Sequence, residues 1–270
     1  MLTHARHQQI IEILAVKKSA TVSELSEQLT VSSATIRTDL NQLAKYGHVI
    51  RIHGGARIGK ERVRQEFSFA TRQNINADKK QAIAHAAASL IQPMDSILLD
   101  ASSTSVALVS AIKKRTDLHD LTVVTTGIWT TLELLGSPEI NVVLAGGYVR
   151  NTSGSISGQI TVEILNKFNF QKVFLGAAGI SEIAGATDVH LIEVELKQTI
   201  IDRSANVILM IDSSKWGKLS LATFAELDKI TMIITDDDAP REMVDQFRQQ
   251  NIEIICAPLI KNSAGVMKNG

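Results

Sequence analysis

Cysteine and long apolar runs are both scarce in this sequence. Cys256 is the single cysteine, so no intramolecular disulfide is possible, and its apolar neighbours in IEIICAP predict a buried thiol in a reducing compartment. No apolar run approaches the roughly 18 to 20 residues that a membrane helix needs, and MLTHARHQQ lacks the apolar core of a signal peptide. We therefore expect a cytoplasmic protein that does not enter a membrane.

Net charge is absent as well, but the charges are unevenly placed. The 270 residues hold 28 basic and 28 acidic side chains, and the apolar share of 44% is that of an ordinary globular protein. Residues 1–60 carry eight basic and four acidic side chains, which leaves 20 basic and 24 acidic ones for the rest. This asymmetry predicts a small basic domain, which meets a polyanion, joined to a larger acidic one.

The N-terminal part shows the periodicity of three helices. In THARHQQIIEILAVKK the apolar residues recur on one helical face, and TVSE has the form of a capping box at the start of a second helix. Ser32 can cap a third helix over residues 32–46, to which Ile36, Leu40 and Leu43 give a buried stripe. Two helices joined by a short turn form the helix-turn-helix arrangement.

A polar face on the third helix is followed directly by a basic hairpin pattern. HVIRIHGGAR alternates apolar and polar residues and bends at two glycines, which predicts a β-hairpin wing beside the helix. A merely solvated three-helix bundle would explain the polar face but not the basic wing. The residues predicted to contact bases or phosphates are Ser32, Ser33, Thr35, Arg37, Thr38, Arg51, His53 and Arg57.

From about residue 79 the chain alternates between short apolar runs and helical segments. The runs SILLD, LTVVTT, INVVLAGG, KVFLGAAG, NVILMID, TMIITD and IEIIC suit buried parallel strands. Helical patterns such as STSVALVSAIKK and REMVDQFRQQ lie between most of them. The alternation predicts an α/β domain with a mostly parallel sheet, in which ligands bind beyond the carboxyl ends of the strands.

Small and polar residues end these runs. Hydroxyls and glycines after a strand expose backbone amides, which suit a phosphate or another anion. Arg150, Lys197 and Lys215 can add positive charge, while Asp100 and Asp212 suit sugar hydroxyls. Each residue taken singly is also an ordinary turn or cap residue. The strand-end candidates are Asp100, Ser102, Ser103, Thr104, Thr125, Thr126, Gly146, Gly147, Gly179, Asp212 and Lys215.

Three classes of function are compatible with these patterns: a ligand-controlled DNA-binding regulator, a sugar-phosphate isomerase with a DNA-binding appendage, and a protein-binding module. An isomerase needs a general base, for which Glu193 and Asp100 are the candidates. The sequence lacks the G-x-x-x-x-G-K-[ST] pattern, and we expect neither a metal nor a cofactor. A protein-binding module leaves the basic wing and the polar strand ends unexplained, so we expect a regulator that is not an enzyme.

The run LTVSSATIRTDLNQLAKYGHVIRIHGGA resembles the signature of the DeoR family of bacterial transcription regulators. ILLDASSTS, VVTT, LAGGYVR, VFLGAAGI, EVELKQTI and DSSK are similar to that family's sensor domain. Thr38 stands where the family has a second arginine, Ser102 where it has glycine, and Thr126 where it has asparagine. The resemblance implies a winged helix-turn-helix domain and a sensor domain similar to ribose-5-phosphate isomerase, which binds phosphorylated sugars.

Both lines of argument predict the same organisation. The predicted parts are a winged helix-turn-helix domain at 1–60, a linker at 61–78, an α/β effector-sensing domain at 79–260 and a tail at 261–270. We expect a homo-oligomeric repressor of sugar or amino-sugar metabolism genes that binds a double-stranded DNA operator. A phosphorylated sugar is the expected effector, bound by the strand-end candidates together with Arg150, Glu193 and Lys197.

Overall fold

The computed structural model describes residues 3–45, 49–58 and 68–259. The predicted tail and residues 61–67 of the predicted linker lie outside these ranges. The helices are α1 (Thr3–Lys17), α2 (Val22–Leu29), α3 (Ser33–Lys45), α4 (Phe69–Asn74), α5 (Ala77–Ala88), α6 (Ser103–Ile112), α7 (Ile128–Leu134), α8 (Gln159–Leu165), α9 (Leu191–Asp202) and α10 (Arg241–Gln249). None of the helices in the described part of the chain combines the length and apolar character needed to cross a bilayer.

The strands fall into one large sheet and three small ones. They are β1 (Ser19–Thr21), β2 (Val49–Ile52), β3 (Gly55–Ile58), β4 (Ser96–Leu99), β5 (Leu121–Thr125), β6 (Ile140–Leu144), β7 (Tyr148–Arg150), β8 (Ser155–Ser157), β9 (Lys172–Leu175), β10 (Gly179–Ser181), β11 (Gly185–Asp188), β12 (Val207–Met210), β13 (Ala222–Ala225), β14 (Met232–Asp236) and β15 (Glu253–Ala257). The large sheet organises the C-terminal domain, residues 68–259, whereas β1 to β3 belong to the N-terminal lobe, residues 3–58.

The N-terminal lobe has the predicted three helices and wing. Its core includes the predicted stripe of Ile36, Leu40 and Leu43, all 2% exposed or less. The predicted capping box is present, because Thr21 and Glu24 exchange hydrogen bonds at the start of α2. Strands β2 and β3 pair antiparallel, and β1, which the sequence did not indicate, joins the edge of β3.

Seven parallel strands form the large sheet in the order β15-β14-β12-β9-β4-β5-β6. Each of the seven predicted apolar runs forms one of these strands, so the predicted fold class is confirmed. Alternate residues along a strand enter different cores: Ile97 and Leu99 pack with helices α5, α6 and α7, whereas Leu98 faces the core that contains α8, α9 and α10. Helices therefore cover both faces, which explains why these strands are apolar throughout.

Two features of the C-terminal domain differ from the prediction. Residues 69–74 and the start of α5 fall inside the predicted linker but are helical, because Phe69 and Thr71 are buried against the domain. Cys256 is exposed, although a buried thiol was predicted. It lies on β15 at the edge of the sheet, where an apolar run is covered less completely than in the middle.

Candidate DNA-reading face and effector cleft

The outer face of α3 carries the polar side chains that the sequence predicted. Arg37 and Thr38 are exposed, while Ser33 and Thr35 are half-buried. Ser32 caps the helix, since its Oγ accepts a hydrogen bond from the Thr35 amide at 3.2 Å. The Thr38 hydroxyl donates to the carbonyl of the residue four positions earlier at 3.1 Å. Thr38 therefore has only an acceptor left, which can pair with an amino group of a base but not with a phosphate.

A buried carboxylate joins α3 to α1. Asp39, which is 2% exposed, accepts hydrogen bonds from Arg6 Nε at 2.6 Å and Arg6 Nη2 at 3.0 Å, and shares one with His7 Nε2 at 2.9 Å. Burial opposes the charge on Asp39, but Arg6 and His7 outweigh it and hold the pKa of Asp39 below its ordinary value. Arg6, one of the basic residues of the lobe, is therefore engaged inside the lobe. Sequence reasoning missed this pair because its members lie 33 residues apart.

The wing lies next to α3, which packs against β2. His53 is exposed at the bend of the hairpin, and Arg51 and Arg57 on its strands are half-buried. Arg51 Nη1 is buried, and no acceptor among the described residues reaches it. A guanidinium nitrogen in that state retains its capacity to bind an incoming acceptor such as a phosphate oxygen.

In the C-terminal domain a cleft opens where the order of the large sheet reverses. From β4 the chain adds β5 and β6 on one side and β9 on the other, and ligands bind at such switch points in open α/β sheets. The loops after β4 and β9 meet there, since the Gly176 amide donates to Asp100 Oδ2 at 2.7 Å. The cleft is lined by Arg72, Asp100, Ala101, Ser102, Ser153, Ser155, Asp188, Glu193 and Lys197.

Asp100 organises the loops of this cleft. Its carboxylate accepts hydrogen bonds from the Ser102 amide at 3.0 Å, the Ser105 hydroxyl at 2.7 Å and the Gly176 amide. Three protein donors already use its two oxygens, which differs from the predicted role of binding sugar hydroxyls. We infer that Asp100 shapes the cleft by joining the loops after β4 and β9.

Lys197 is a buried cation whose charge is balanced inside the protein. Its Nζ donates to Asp188 Oδ2 at 2.6 Å and to the Gly176 carbonyl at 2.7 Å, and it lies 3.6 Å from Asp100 Oδ2. Burial opposes this charge, but Asp188 and Asp100 outweigh the burial and raise the pKa of Lys197 to about 12. The same pair holds the pKa of Asp188 below its ordinary value, against the effect of burial.

Arg72 contributes a second cation, which lies 5.7 Å from the centroid of the Phe69 ring and adds to the charges that lower the pKa of Asp188. Its Nε and Nη2 atoms are buried, and none of the acceptors in the described ranges is within hydrogen-bonding reach. The hydroxyl of Ser155, a residue 1% exposed that also lines the cleft, is in the same state. Buried donors without acceptors are uncommon in folded proteins, and here both line a cleft, which is the arrangement expected of a site for an anion.

Two of the predicted site residues lie in a different cluster, after β12. Asp212 Oδ1 accepts from the Ser214 amide at 3.0 Å and from Asn76 Nδ2 at 2.9 Å, and the Lys215 amide donates to the Asp212 carbonyl at 2.9 Å. Burial opposes the charge on Asp212, but Lys215 and Ser214 keep its pKa below the ordinary value. Asp212 therefore lies outside this cleft, and its carboxylate joins the loop after β12 to Asn76 at the start of α5.

The other strand-end candidates shape loops near the cleft without lining it. Thr125 Oγ1 accepts from the Gly127 amide, and the Gly146 carbonyl accepts from the Thr161 hydroxyl. Arg150 forms an ion pair of 2.7 Å with Glu193, through which it reaches the edge of the cleft. The residues outside the lining are Ser103, Thr104, Thr125, Thr126, Gly146, Gly147, Arg150, Gly179, Asp212 and Lys215.

The cleft contains five residues that the sequence did not indicate as site residues: Arg72, Ala101, Ser153, Ser155 and Asp188. Ser153 lies in the turn before β8, Ser155 begins β8, and Asp188 ends β11, one of the short strands that show no periodicity. Arg72 lies in the predicted linker. In the sequence it is a single arginine after FSFAT, and only the packing of α4 on the domain shows that it lines the cleft.

Comparison with known proteins gives matches for both parts of the chain. The DeoR-like helix-turn-helix domain matches residues 6–62, and the DeoR C-terminal sensor domain matches residues 75–237. The HTH-type transcriptional regulator GolR of Listeria innocua is 33% identical over 94% of this chain and 98% of its own length. The putative aga operon transcriptional repressor of Escherichia coli O157:H7 is 30% identical over 94% and 93%, and the glycerol-3-phosphate regulon repressor of E. coli K12 is 27% identical over 92% and 97%.

Solved structures show more distant similarity. Ribose 5-phosphate isomerase A of Methanocaldococcus jannaschii is 17% identical and aligns over 52% of this chain and 55% of its own, with a TM-score of 0.39. The full-length sorbitol operon regulator SorC of Klebsiella pneumoniae is 10% identical and aligns over 89% and 98%, with a TM-score of 0.41.

Proposed function

The chain belongs to the DeoR family of transcription regulators, and we propose that it is a repressor whose affinity for operator DNA changes when a phosphorylated sugar binds in the effector cleft. Both Escherichia coli relatives named above carry the word repressor in their names, one for the aga operon and one for the glycerol-3-phosphate regulon. Genes of sugar or amino-sugar metabolism are accordingly the proposed targets.

One observation carries the proposal of a phosphorylated ligand: the two buried nitrogens of Arg72 that lack acceptors within the described residues. A guanidinium presents its N–H groups in a fork that fits two oxygens of a phosphate. The Ser155 hydroxyl adds a further unused donor. Lys197 adds a positive charge to the lining of the cleft, and the ion pair with Asp188 offsets this charge.

The same cleft supplies acceptors for the hydroxyls of a sugar. Glu193 and Asp188 line it. The Asp188 oxygens accept from the Val189 amide and from Lys197, and Glu193 Oε1 accepts from Arg150. A carboxylate oxygen with one donor keeps a further lone pair that can accept from a sugar hydroxyl. A ligand with a phosphate at one end and hydroxyls at the other would match this separation of donors and acceptors. Inorganic phosphate alone would use only the donor side, so we expect it to bind more weakly.

Binding of a panel of phosphorylated compounds tests the effector site. Titration calorimetry with glycerol 3-phosphate, fructose 1-phosphate, fructose 6-phosphate and glucosamine 6-phosphate, each beside its unphosphorylated form, should give heat only for a phosphorylated member. Arg72→Gln should weaken that binding by about 1.5–3 kcal/mol, the value of a hydrogen bond to a charged group. Arg203→Gln, on an exposed arginine outside the cleft, is the matched control. Equal affinities of the Arg72 variant and the wild type would remove Arg72 from the site.

For the DNA complex we propose that α3 enters the major groove and that the wing contacts the backbone. Arg37 is exposed in the middle of the reading face, and Arg51, His53 and Arg57 lie on the adjacent wing. One such lobe covers only a short site, so we propose that a symmetric homo-oligomer binds repeated half-sites.

DNA binding is tested with a duplex recovered by in vitro selection on the protein. Arg37→Ala should cost about 1–3 kcal/mol of specific binding if Arg37 reads a base. Arg248→Ala, on an exposed arginine of α10, should leave the affinity unchanged. Arg51→Ala should reduce the slope of log affinity against log salt by about one unit if Arg51 contacts a phosphate, and an unchanged slope would reject that contact.

Sugar-phosphate isomerisation is the second candidate function. The carboxylates near the cleft are its only support, and both candidate bases are already engaged: Asp100 accepts three hydrogen bonds and Glu193 pairs with Arg150. We propose that the domain binds its ligand without converting it. Incubation of the phosphorylated panel with the protein, followed by NMR, tests this, and any turnover lost in Glu193→Gln would support the enzyme instead.

A further inference from the structure

Helix α4 is built into the C-terminal domain at its N-terminal end. The ring of Phe69 stacks on Trp129 of α7, with 5.3 Å between the ring centroids and 20° between the planes. The Phe69 amide donates to the Thr152 carbonyl at 3.0 Å. Trp129 also lies against Gly154, where an added Cβ would come within 2.4 Å of its Nε1 atom. Phe69 and Trp129 therefore join α4 to the loop that carries Ser153 and Ser155 of the effector cleft.

The C-terminal end of α4 is held by a buried ammonium group. Lys80 of α5, 7% exposed, donates from Nζ to the carbonyls of Arg72 and Ile75. Burial lowers the pKa of Lys80 to about 8, and Asp212 offsets only part of this effect. Donation to these carbonyls replaces hydrogen bonds that the end of a helix otherwise lacks. The position of Arg72 thus depends on contacts at both ends of the helix that carries it.

The N-terminal lobe also contacts α4, because α1 packs against it. α1 is in turn joined to the DNA-reading helix through the ion pair of Arg6 and Asp39. A continuous series of contacts therefore leads from the effector cleft to α3.

We propose that α4 is the element through which the effector cleft and the DNA-reading face influence each other. The inference rests on the proposed function, since it takes a ligand at Arg72 as the cause of the change. A phosphate that engages Arg72 Nε and Nη2 fixes a side chain of α4, and α1 then packs against a helix of altered position or mobility. A ligand changes DNA affinity only by its preference for one of these arrangements, and DNA must change ligand affinity by the same factor.

Trp129 is a natural reporter of this element. The chain has two tryptophans, and the other, Trp216, is buried with its Nε1 bound to the Thr235 hydroxyl. Trp129 stacks on α4 and is not among the residues that line the cleft. We expect its fluorescence to change on addition of the bound member of the phosphorylated panel and, separately, of the selected duplex. The Trp129→Phe protein, which keeps a ring on Phe69, supplies the background from Trp216.

A variant of the contact tests whether α4 transmits the effect. The measured quantity is the ratio of duplex affinities without ligand and with saturating ligand, which does not depend on how tightly the variant binds the ligand. We expect a ratio of roughly fivefold or more in the wild type and a ratio near one in Trp129→Ala. Leu135→Ala removes an exposed apolar side chain directly after α7 and should keep the wild-type ratio. Phe69→Leu, which removes the stacking from the other side, replaces Trp129→Ala if that protein does not fold.

The outcomes separate this inference from the proposed function. Ligand binding that alters duplex affinity, with unchanged Trp129 fluorescence and a wild-type ratio in Trp129→Ala, would overturn the role of α4 and leave the effector site in place. If no phosphorylated compound binds, the proposed effector is wrong, and the role of α4 is then tested only by the fluorescence titration with the duplex. In that case a change of Trp129 fluorescence on DNA binding supports the α4 connection, and no change rejects it.

Discussion

Replacing Lys197 by methionine tests whether the ion pair in the cleft maintains the fold of the C-terminal domain. Methionine keeps most of the aliphatic volume of lysine, but it removes the donors and the charged Nζ, which lies 4.8 Å from the centroid of the Phe224 ring. The change leaves Asp188 without the ammonium that lies 2.6 Å from it and the Gly176 carbonyl without its donor at 2.7 Å. The fold should therefore lose stability although little volume changes.

The burial of the two partners sets the size of the loss. Removing one member of a buried ion pair costs about 3–5 kcal/mol, because the remaining charge stays in a poorly solvated site. The Lys197 side chain is 7% exposed and that of Asp188 13%, so water reaches Asp188 and the lower end of that range, about 3 kcal/mol, is expected. For a domain of this size the loss corresponds to a decrease in Tm of about 6–12 °C.

Differential scanning calorimetry and urea unfolding of the full chain at pH 7 measure this effect. Lys113→Met, which removes an exposed lysine of the same domain, should change stability by no more than about 0.5 kcal/mol. Adding Asp188→Asn to Lys197→Met should recover roughly 0.5–3 kcal/mol, because the unpaired charge disappears.

Two results would contradict this reasoning. A loss below about 1 kcal/mol in Lys197→Met would mean that solvent or another group stabilises Asp188 well enough without the lysine. Equal stabilities of the single and double variants would show that the cost lies in lost packing, since packing loss does not depend on the charge at Asp188.

Three further predictions concern the N-terminal lobe. Asp39→Asn should lower the free energy of unfolding of the lobe at pH 7. Because the folded pKa of Asp39 lies below its ordinary value, the stability difference between wild type and variant should be complete above about pH 5 and shrink as the pH falls through that folded pKa. Urea unfolding of both proteins across this pH range measures the difference, and a constant difference would exclude the pairing with Arg6. Gly55→Ala places a Cβ 2.2 Å from the Ala20 carbonyl oxygen, so it should cost about 1–3 kcal/mol and weaken DNA binding but not ligand binding in calorimetry. Leu40→Ala, at a residue 0% exposed, should cost about 2–5 kcal/mol in thermal unfolding, and a smaller loss would mean that the lobe closes around the cavity.

The sequence predicted those elements whose residues repeat with a regular period. Ile36, Leu40 and Leu43 recur at helical spacing, and the seven apolar runs of the large sheet are long enough to be distinguished from loops. Strands β7, β8, β10 and β11 span three or four residues each and include glycine and polar residues, so no window of useful length shows a period. One of these strands, β11, ends with Asp188, and another, β8, begins with Ser155.

The sequence predicted only some of the residues that line the cleft. Asp100, Ser102, Glu193 and Lys197 were inferred from strand ends and motif pieces, and the structure brings them together around one cleft. Thr125, Gly146 and Asp212 also follow strands, yet their polar atoms form hydrogen bonds to other protein groups outside the lining of the cleft. Strand-end position shows that a residue lies at the ligand-binding edge of a sheet, but not whether it borders the crevice.

The sequence alone decides which segments become helices or strands, because periodicity and capping act over a few neighbouring residues. It also decides how the basic and acidic side chains divide between the N-terminal lobe and the C-terminal domain. Contacts between distant segments decide the rest. Arg72 faces the cleft only because Phe69 meets Trp129, 60 positions later along the chain, and Lys80 holds the end of α4. Such contacts depend on the packing of complete elements, which no short stretch of sequence specifies.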